Sequence, residues 1–145
     1  MFNKIERFSG DYRFLSNFHP CDITYNGINY KSTENAYQAQ KTNDKKIQFN
    51  ISTMTPAQSK LFGSKINLNS DWDDKRLLVM YEINKLKYKI PELRKLLLDT
   101  GSDLLIEGNW WNDKFWGVCL KTNKGDNFLG EILMGIRKEI QDGKL

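Results

Sequence analysis

The chain has little cysteine and histidine: two cysteines and one histidine occur among its 145 residues. Cys21 and Cys119 lie too far apart in sequence to suggest a disulfide framework, and a zinc site built of Cys and His ligands is close to excluded. No apolar run approaches the roughly 18 residues that a membrane span needs. The N-terminal residues also lack the apolar segment of a secretory signal peptide. We therefore expect a reduced, cytoplasmic setting with no membrane partner, no metal and no cofactor.

The sequence also lacks internal repeats, low-complexity stretches and linkers rich in Pro, Gly or Ser. Its 39% hydrophobic and 28% charged residues are typical of a soluble globular protein. A length of 145 residues predicts one domain, 1–145. The net charge is +4, but the basic residues are scattered along the chain. Scattered lysines favour a site for a small anionic ligand over a nucleic-acid surface.

Local signals predict an α+β fold. The pair Asn26-Gly27 stands between two alternating runs and predicts a β-hairpin over 22–30, because both residues tolerate positive φ. Short buried strands are expected at 104–106 and 116–120. Cap residues and helical spacing predict helices over 32–41, 55–63, 70–90, 91–101 and 127–140. The expected architecture is a single domain in which a small mixed sheet with an N-terminal hairpin is covered by helices.

One face of the first predicted helix is unusually polar. Glu34, Tyr37, Gln38 and Lys41 are three, four and seven residues apart, so they share that face. A carboxylate, a phenol, an amide and an ammonium make a poor core surface. The face is either solvated or the wall of a binding site.

A second polar segment, residues 109–117, combines asparagine and aspartate with three of the four tryptophans, Trp110, Trp111 and Trp116. Indole rings on a loop are costly unless they pack or bind, and they stack well on flat heterocycles. Asp113 beside them is a candidate for proton transfer. The alternative is a small packed plug in which Asp113 caps the loop.

Three further segments carry polar residues that suit an anionic ligand. Arg13 and Asn17 stand among aromatic residues near the N-terminus, in a segment that could equally be a strand with a surface arginine. Lys60 lies on a short helix that ends at Gly63. The last helix follows Gly125, and its first residues include Asn127 and Gly130; an anion site there and a plain Asn127 helix cap both remain open.

Taken together and in order, these motifs resemble the NADAR family over residues 12–137. Each motif alone is weak, but the ordered set is specific. The matching strings are Tyr12–Phe18, Gly27-x-x-Tyr30-x-x-x-Glu34-x-x-Tyr37-Gln38-Ala39-x-Lys41, Lys60-x-x-Gly63, Asp71-Trp72, Glu107, Asp113-x-x-Trp116-Gly117, Gly125-x-Asn127-x-Leu129-Gly130 and Leu133-Met134-x-x-Arg137.

The resemblance implies an N-glycosidase that acts on ribosyl phosphates. Members cleave N-glycosidic bonds of early riboflavin-pathway intermediates, and others remove ADP-ribose from guanine in nucleic acid. A modified nucleic acid is therefore an alternative substrate, and a non-catalytic module that binds ADP-ribose or a related NAD derivative is a second alternative. Many members carry histidine after the glutamate, where this chain has Asn35, which puts any mechanism that depends on that histidine in doubt. The oligomeric state stays open.

Hydrolysis of an N-glycosidic bond builds positive charge on the sugar, which a carboxylate stabilises. We expect Glu34 to be the main carboxylate and Asp113 the second. Lys41 could pair with Glu34 or act as an amine nucleophile. We expect phosphate to be bound by Arg13, Lys60 and Arg137, and the base to stack on Trp116 with Trp72 or Trp110. The sugar or base should be oriented by Asn17, Tyr37 and Asn127. The remaining expected substrate-binding residues come from the same motifs: Gln38, Gly63, Gly117 and Gly130.

Overall fold

The structure is a computed structural model that describes residues 3–145. In chain order its elements are β1 (Lys4–Ile5), a 3₁₀ helix (Gly10–Leu15), β2 (Ile23–Tyr25), β3 (Ile28–Tyr30), α1 (Thr33–Ala39), α2 (Lys45–Ser52), α3 (Pro56–Gly63), α4 (Trp72–Lys87), α5 (Pro91–Asp99), β4 (Leu104–Leu105), β5 (Gly108–Asn109), β6 (Val118–Cys119) and α6 (Phe128–Gln141). The predicted α+β class is confirmed. None of the helices in the described range is long and apolar enough to cross a membrane.

The elements form two compact units. The central unit is Asn17–Lys87, and the terminal unit joins the N-terminal residues up to Ser16 with Tyr88–Leu145. The strands occur as three two-stranded pairs, so the sheet is smaller than the sequence suggested. The β2–β3 pair is antiparallel, whereas β1–β4 and β5–β6 are parallel.

The central unit contains the strongest turn and helix-cap patterns of the sequence. Asn26 (φ 50°) and Gly27 (φ 84°) make the predicted turn between β2 and β3. Thr55 and Gln58 form a reciprocal capping box at the start of α3, with Pro56 in its first turn. Sequence patterns missed α2, although Asp44 caps it by accepting hydrogen bonds from the Lys46 and Ile47 N–H groups. Its apolar face is too short for periodicity to reveal, since Gln48 and Ile51 are its buried residues.

Each unit has its own apolar interior. Trp72, Val79, Met80 and Ile83 form the buried stripe that the spacing of α4 predicts, although α4 ends at Lys87 rather than near residue 90. In the terminal unit, the fully buried residues of α5, β4 and α6 are Leu97, Leu105, Leu133 and Ile136. Burial of these apolar side chains stabilises the helices that carry the polar motifs.

Lys87 is fully buried at the end of α4. Burial lowers its pKa to about 8, and the nearby Cys21 thiol partly opposes that shift. In the unfolded chain a lysine holds its proton up to about pH 10.4, so unfolding takes up a proton between these two pH values. The free energy of unfolding therefore rises with pH in that window. Below the window the folded state bears the full cost of burying the charged Lys87 side chain.

We expect Lys87→Met to raise the free energy of unfolding at pH 7 by a few kcal/mol, because the buried charge is removed. The gain should shrink as the pH approaches 10. Denaturant titrations at pH 7, 8.5 and 10 measure this, with the exposed Lys89→Met as control. A gain that does not change with pH would contradict the assignment.

Candidate active site

The backbone of the central unit fixes Glu34 at the start of α1. Ser32 caps the helix by accepting a hydrogen bond from the Asn35 N–H. The Asn17 carbonyl accepts from the Glu34 N–H at 3.0 Å. The Glu34 side chain is only 8% exposed, so this carboxylate is removed from bulk water.

Gln38 orients the Glu34 carboxylate one helical turn later. Its Nε2 donates to Glu34 Oε2 at 2.9 Å. The amide lies against Gly63 at the end of α3, where a Cβ would come within 1.9 Å of Gln38 Oε1. Glycine at position 63 therefore leaves the space that the Gln38 amide occupies. Glu34 and Gln38, which the sequence predicted to share one helix face, are therefore in direct contact.

An aromatic pair and a lysine complete this face. The rings of Tyr37 and Trp72 lie 5.2 Å apart, and Lys41 Nζ is 5.7 Å from the centre of the Tyr37 ring. Burial lowers the pKa of Lys41; Glu34 favours its charged form, and Lys60 and Arg76 disfavour it. Trp72 is only 4% exposed, so its ring serves packing of α1 on α4.

Two asparagines beside Glu34 are engaged in structural hydrogen bonds. Asn17 Oδ1 accepts from the Thr33 hydroxyl at 2.8 Å, which ties the preceding segment to α1. Asn35 Nδ2 donates at 2.8 Å to the carbonyls of both Ile51 and Met54, which ties α1 to the end of α2. Asn35 is fully buried, so its amide acts as a link between helices.

In the terminal unit, the Asp113 side chain caps backbone N–H groups of the loop that contains it. Its Oδ1 accepts hydrogen bonds from the Phe115 N–H at 3.1 Å and the Trp116 N–H at 3.0 Å. The buried Asn109 side chain bonds both the N–H and the carbonyl of Asp113. This geometry favours a capping role for Asp113, and its catalytic role stays a prediction.

Asp113→Asn and Asp113→Ala separate these roles. Asparagine keeps an oxygen for the two N–H groups, so we expect its turnover to stay within roughly threefold of the parent chain. Alanine leaves both donors without the cap and should lower the free energy of unfolding by about 1 kcal/mol. Steady-state kinetics and denaturant titration measure both effects. A large loss of kcat in the asparagine variant, with unchanged stability, would restore Asp113 as a catalytic carboxylate.

The tryptophans of this loop are not equivalent. Trp110 and Trp111 are 51% and 62% exposed, so both present ring surface to solvent. Trp116 is half-buried and packs edge-on against Phe115 at 4.7 Å. Gly117 follows it, and a Cβ there would lie 2.0 Å from the Glu107 carbonyl oxygen and 2.1 Å from Glu107 Oε2. The motif glycine thus allows the chain at Glu107 to approach closely.

The start of α6 also differs from the expectation. Asn127 has a left-handed backbone (φ 54°), and its side chain bonds the Glu107 N–H and the Leu105 carbonyl. The predicted side-chain cap is therefore wrong: Asn127 links α6 to the chain between β4 and β5. A Cβ at Gly130 would meet the Leu105 carbonyl at 2.1 Å, so that glycine serves the same contact.

Arg137 is buried on α6, with 6% of its surface exposed. Its guanidinium donates to the Thr100 hydroxyl at 2.8 Å and to the Asp103 carbonyl at 2.9 Å. Burial lowers the pKa of Arg137, and Asp103 opposes that effect. These bonds join α6 to the turn after α5, so they favour a structural role over the predicted phosphate contact.

We expect Arg137→Met to lower the free energy of unfolding by about 2 kcal/mol, since two charge-assisted hydrogen bonds are lost. Its kcat/KM should change by the same factor for a phosphorylated substrate and its dephosphorylated counterpart. Thermal denaturation and parallel kinetics on the two substrates provide the measurement. A loss confined to the phosphorylated substrate would instead assign the guanidinium to phosphate.

The structure brings Glu34, Tyr37, Gln38, Lys41 and Gly63 together in the central unit. Exposed Lys60 on α3 joins them, with its Nζ 5.8 Å from the Phe18 ring. Arg13 is exposed in the 3₁₀ helix of the terminal unit. Within residues 3–145, no group of three or more His, Cys, Asp or Glu side chains is arranged to hold a metal ion.

Sequence reasoning gave no role to Arg76, Glu107 and Asn109, each of which interacts with a residue of the predicted motifs. Arg76 had a usable signal, because it follows Trp72 by four residues and so lies on the same helix face. Glu107 was noticed in a motif but given no role. Asn109 had no local signal, since its partners are backbone groups of a loop without regular structure.

The chain is similar to proteins of one family. The NADAR domain matches residues 2–141. An N-glycosidase of Nostoc punctiforme is 35% identical over 138 residues, which cover 90% of this chain and 87% of that protein. A riboflavin biosynthesis protein of Vibrio vulnificus is 37% identical over 133 residues, or 89% of this chain, but the chain spans only 36% of that protein's length.

A solved structure agrees with these matches. The NMR structure of the Escherichia coli protein YbiA superposes with a TM-score of 0.85 at 30% identity, covering 99% of this chain and 89% of that one. By sequence, the Escherichia coli N-glycosidase YbiA is 34% identical over 137 residues, covering 91% of this chain and 84% of that protein.

Proposed function

This chain belongs to the NADAR domain family, and we propose on that premise that it is a hydrolase of N-glycosyl compounds. Its substrate in this proposal is a nucleotide-like ribosyl phosphate of the riboflavin-intermediate class. The observation that carries the proposal is the buried Glu34 carboxylate, which Gln38 orients at 2.9 Å. Relatives that the chain covers almost completely are named N-glycosidases.

Glu34 supplies the charge that this reaction needs. As the bond from the anomeric carbon to the base nitrogen lengthens, positive charge develops on the ribose. A carboxylate shielded from water stabilises that charge more strongly than an exposed one. The bonding electron pair goes to the departing base, which takes a proton from solvent. Water then adds to the anomeric carbon and gives a proton to Glu34, which returns it to solvent.

Lys41 is the cationic partner of Glu34 in this proposal. Glu34 favours the protonated form of Lys41, which supports an ion-pair role. A mass adduct of substrate ribose on Lys41 after borohydride reduction would instead assign its amine as a nucleophile on an opened sugar. Absence of the adduct during full turnover supports the ion pair.

The test is a release assay. The purified chain is incubated separately with riboflavin-pathway intermediates, NAD, ADP-ribose and ADP-ribosylated guanosine, and the released bases are identified by mass spectrometry. We expect release from a riboflavin-pathway ribosyl phosphate, and roughly 10³-fold slower release by Glu34→Gln. Tight binding of ADP-ribose without release of any base would support a binding module and overturn the proposal.

The exposed indoles of Trp110 and Trp111 favour a second candidate substrate. Base–aromatic stacking is worth roughly 1–3 kcal/mol per base, so two exposed indoles suit the bases of a nucleic acid. ADP-ribosylated DNA is the matching substrate. Faster release from the DNA than from ADP-ribosylated guanosine, lost in Trp111→Ala, would support it.

A further inference from the structure

We propose that Lys41, Lys60 and Arg76 of the central unit form a phosphate-binding cluster, the cation cluster, and that Arg76 selects phosphorylated over unphosphorylated substrates. The proposal rests on the N-glycosidase function above and names a residue that the sequence motifs did not indicate. It commits to one ligand chemistry, a sugar that carries a phosphate monoester.

Helix geometry brings Arg76 to the Glu34 face. Arg76 follows Trp72 by one turn of α4, and the Trp72 ring contacts the Tyr37 ring at 5.2 Å. Lys41 Nζ is 5.7 Å from that same Tyr37 ring. The half-buried Arg76 thus lies on the side of α4 that faces the end of α1.

Lys60 reaches the same region from α3. It precedes Gly63 by three residues, so it is one turn from the point where α3 touches the Gln38 amide. Its Nζ lies 5.8 Å from the ring of Phe18, and the neighbouring Asn17 holds the Glu34 N–H. Lys60 on α3, Arg76 on α4 and Lys41 just beyond the end of α1 therefore belong to one region of the central unit.

Electrostatics agrees with this geometry. Lys60 and Arg76 both lower the pKa of Lys41, so each of them is close enough to Lys41 to repel its charge. Glu34 acts on Lys41 in the opposite sense. A phosphate monoester carries about −1.5 to −2 at pH 7, so it would stabilise three neighbouring cations in the same way as a carboxylate.

The Glu34 carboxylate indicates the rest of the ligand. It interacts electrostatically with Lys41 and offers oxygen acceptors for sugar hydroxyls beside cations for phosphate. That combination fits a phosphorylated sugar better than an inorganic anion.

The experiment compares Arg76→Met with Lys75→Met. Lys75 is the neighbouring residue on α4, where it pairs with Asp71 at 2.9 Å on the exposed surface, so its loss changes the net charge equally. Calorimetry measures binding of ribose 5-phosphate and of ribose. Kinetics measures kcat/KM on the phosphorylated substrate and on its dephosphorylated form.

We expect the parent chain to bind ribose 5-phosphate and not ribose, and Arg76→Met to weaken that binding and kcat/KM on the phosphorylated substrate by roughly 10- to 100-fold. The dephosphorylated substrate and Lys75→Met should change less than threefold. Equal losses on both substrates, or no ribose 5-phosphate binding by the parent chain, would overturn the cation cluster even in an active enzyme. Phosphate-dependent binding without any base release would overturn the N-glycosidase function and leave the cluster standing.

Discussion

Replacing Glu34 by glutamine should lower kcat by roughly 10³-fold while leaving fold and substrate affinity within a few-fold. Glutamine has the size of glutamate and keeps an oxygen that accepts from Gln38 Nε2. It lacks the negative charge that stabilises the developing sugar cation and the basicity that receives a proton from water. The change therefore removes chemistry and preserves packing around α1.

Single-turnover rates, calorimetric affinity and thermal denaturation measure the three parts of this prediction. Glu131→Gln, an exposed acid on α6, provides the matched control and should retain full activity. Turnover of Glu34→Gln at a rate near that of the parent chain would remove Glu34 from the mechanism. A collapse of thermal stability would mean that the carboxylate serves the fold instead.

The second large effect is expected at Gly63, which never needs to touch the substrate. A Cβ at position 63 would lie 1.9 Å from Gln38 Oε1 and 2.7 Å from Gln38 Cδ, so the amide has to move. Its hydrogen bond to Glu34 is then lost, and the carboxylate is no longer held. A displacement of about 1 Å at a reacting group can cost roughly 10²-fold in rate, which is the loss of kcat/KM that we expect for Gly63→Ala.

Stability should fall much less than activity. Forcing a Cβ against the buried Gln38 side chain costs about 1–3 kcal/mol, and the preference of a helix for alanine over glycine, about 1 kcal/mol, offsets part of that cost, so Gly63→Ala should not unfold α3. Gly135→Ala on α6 is the control, because a Cβ there meets no atom within 4 Å. Kinetics and thermal denaturation on both variants decide the matter. Full activity in Gly63→Ala would show that the Gln38 amide position does not matter for catalysis.

Several features of the fold followed from short stretches of sequence. The Asn26-Gly27 turn, the start of α3 after the Thr55 cap and the start of α5 at Pro91 all appear where they were expected. Helix α2 did not, because its cap at Asp44 was overlooked and its apolar face is short. The two parallel pairs were also not predictable, since β1–β4 joins Lys4 to Leu104 across most of the chain.

In the candidate site, too, some features followed from the sequence and others did not. The grouping of Glu34 and Gln38 on one face of α1 followed from spacing, and their hydrogen bond agrees with it, whereas Lys41 lies two residues beyond the end of the helix. Asn35 shows the limit of such reasoning. It stands where many family members carry histidine, and its amide bonds the carbonyls of Ile51 and Met54. Nothing within α1 indicates those partners.

By itself the sequence determined the local elements, the family and the polar face of α1, because turns, caps and helix faces depend on covalent geometry within about four residues. Only the tertiary structure decided which polar groups are already engaged. Asp113 caps two N–H groups of its loop, and Arg137 binds Thr100 and the Asp103 carbonyl. Buried polar groups bond whatever partner the packed chain brings to them, and for Arg137 that partner lies 37 residues away.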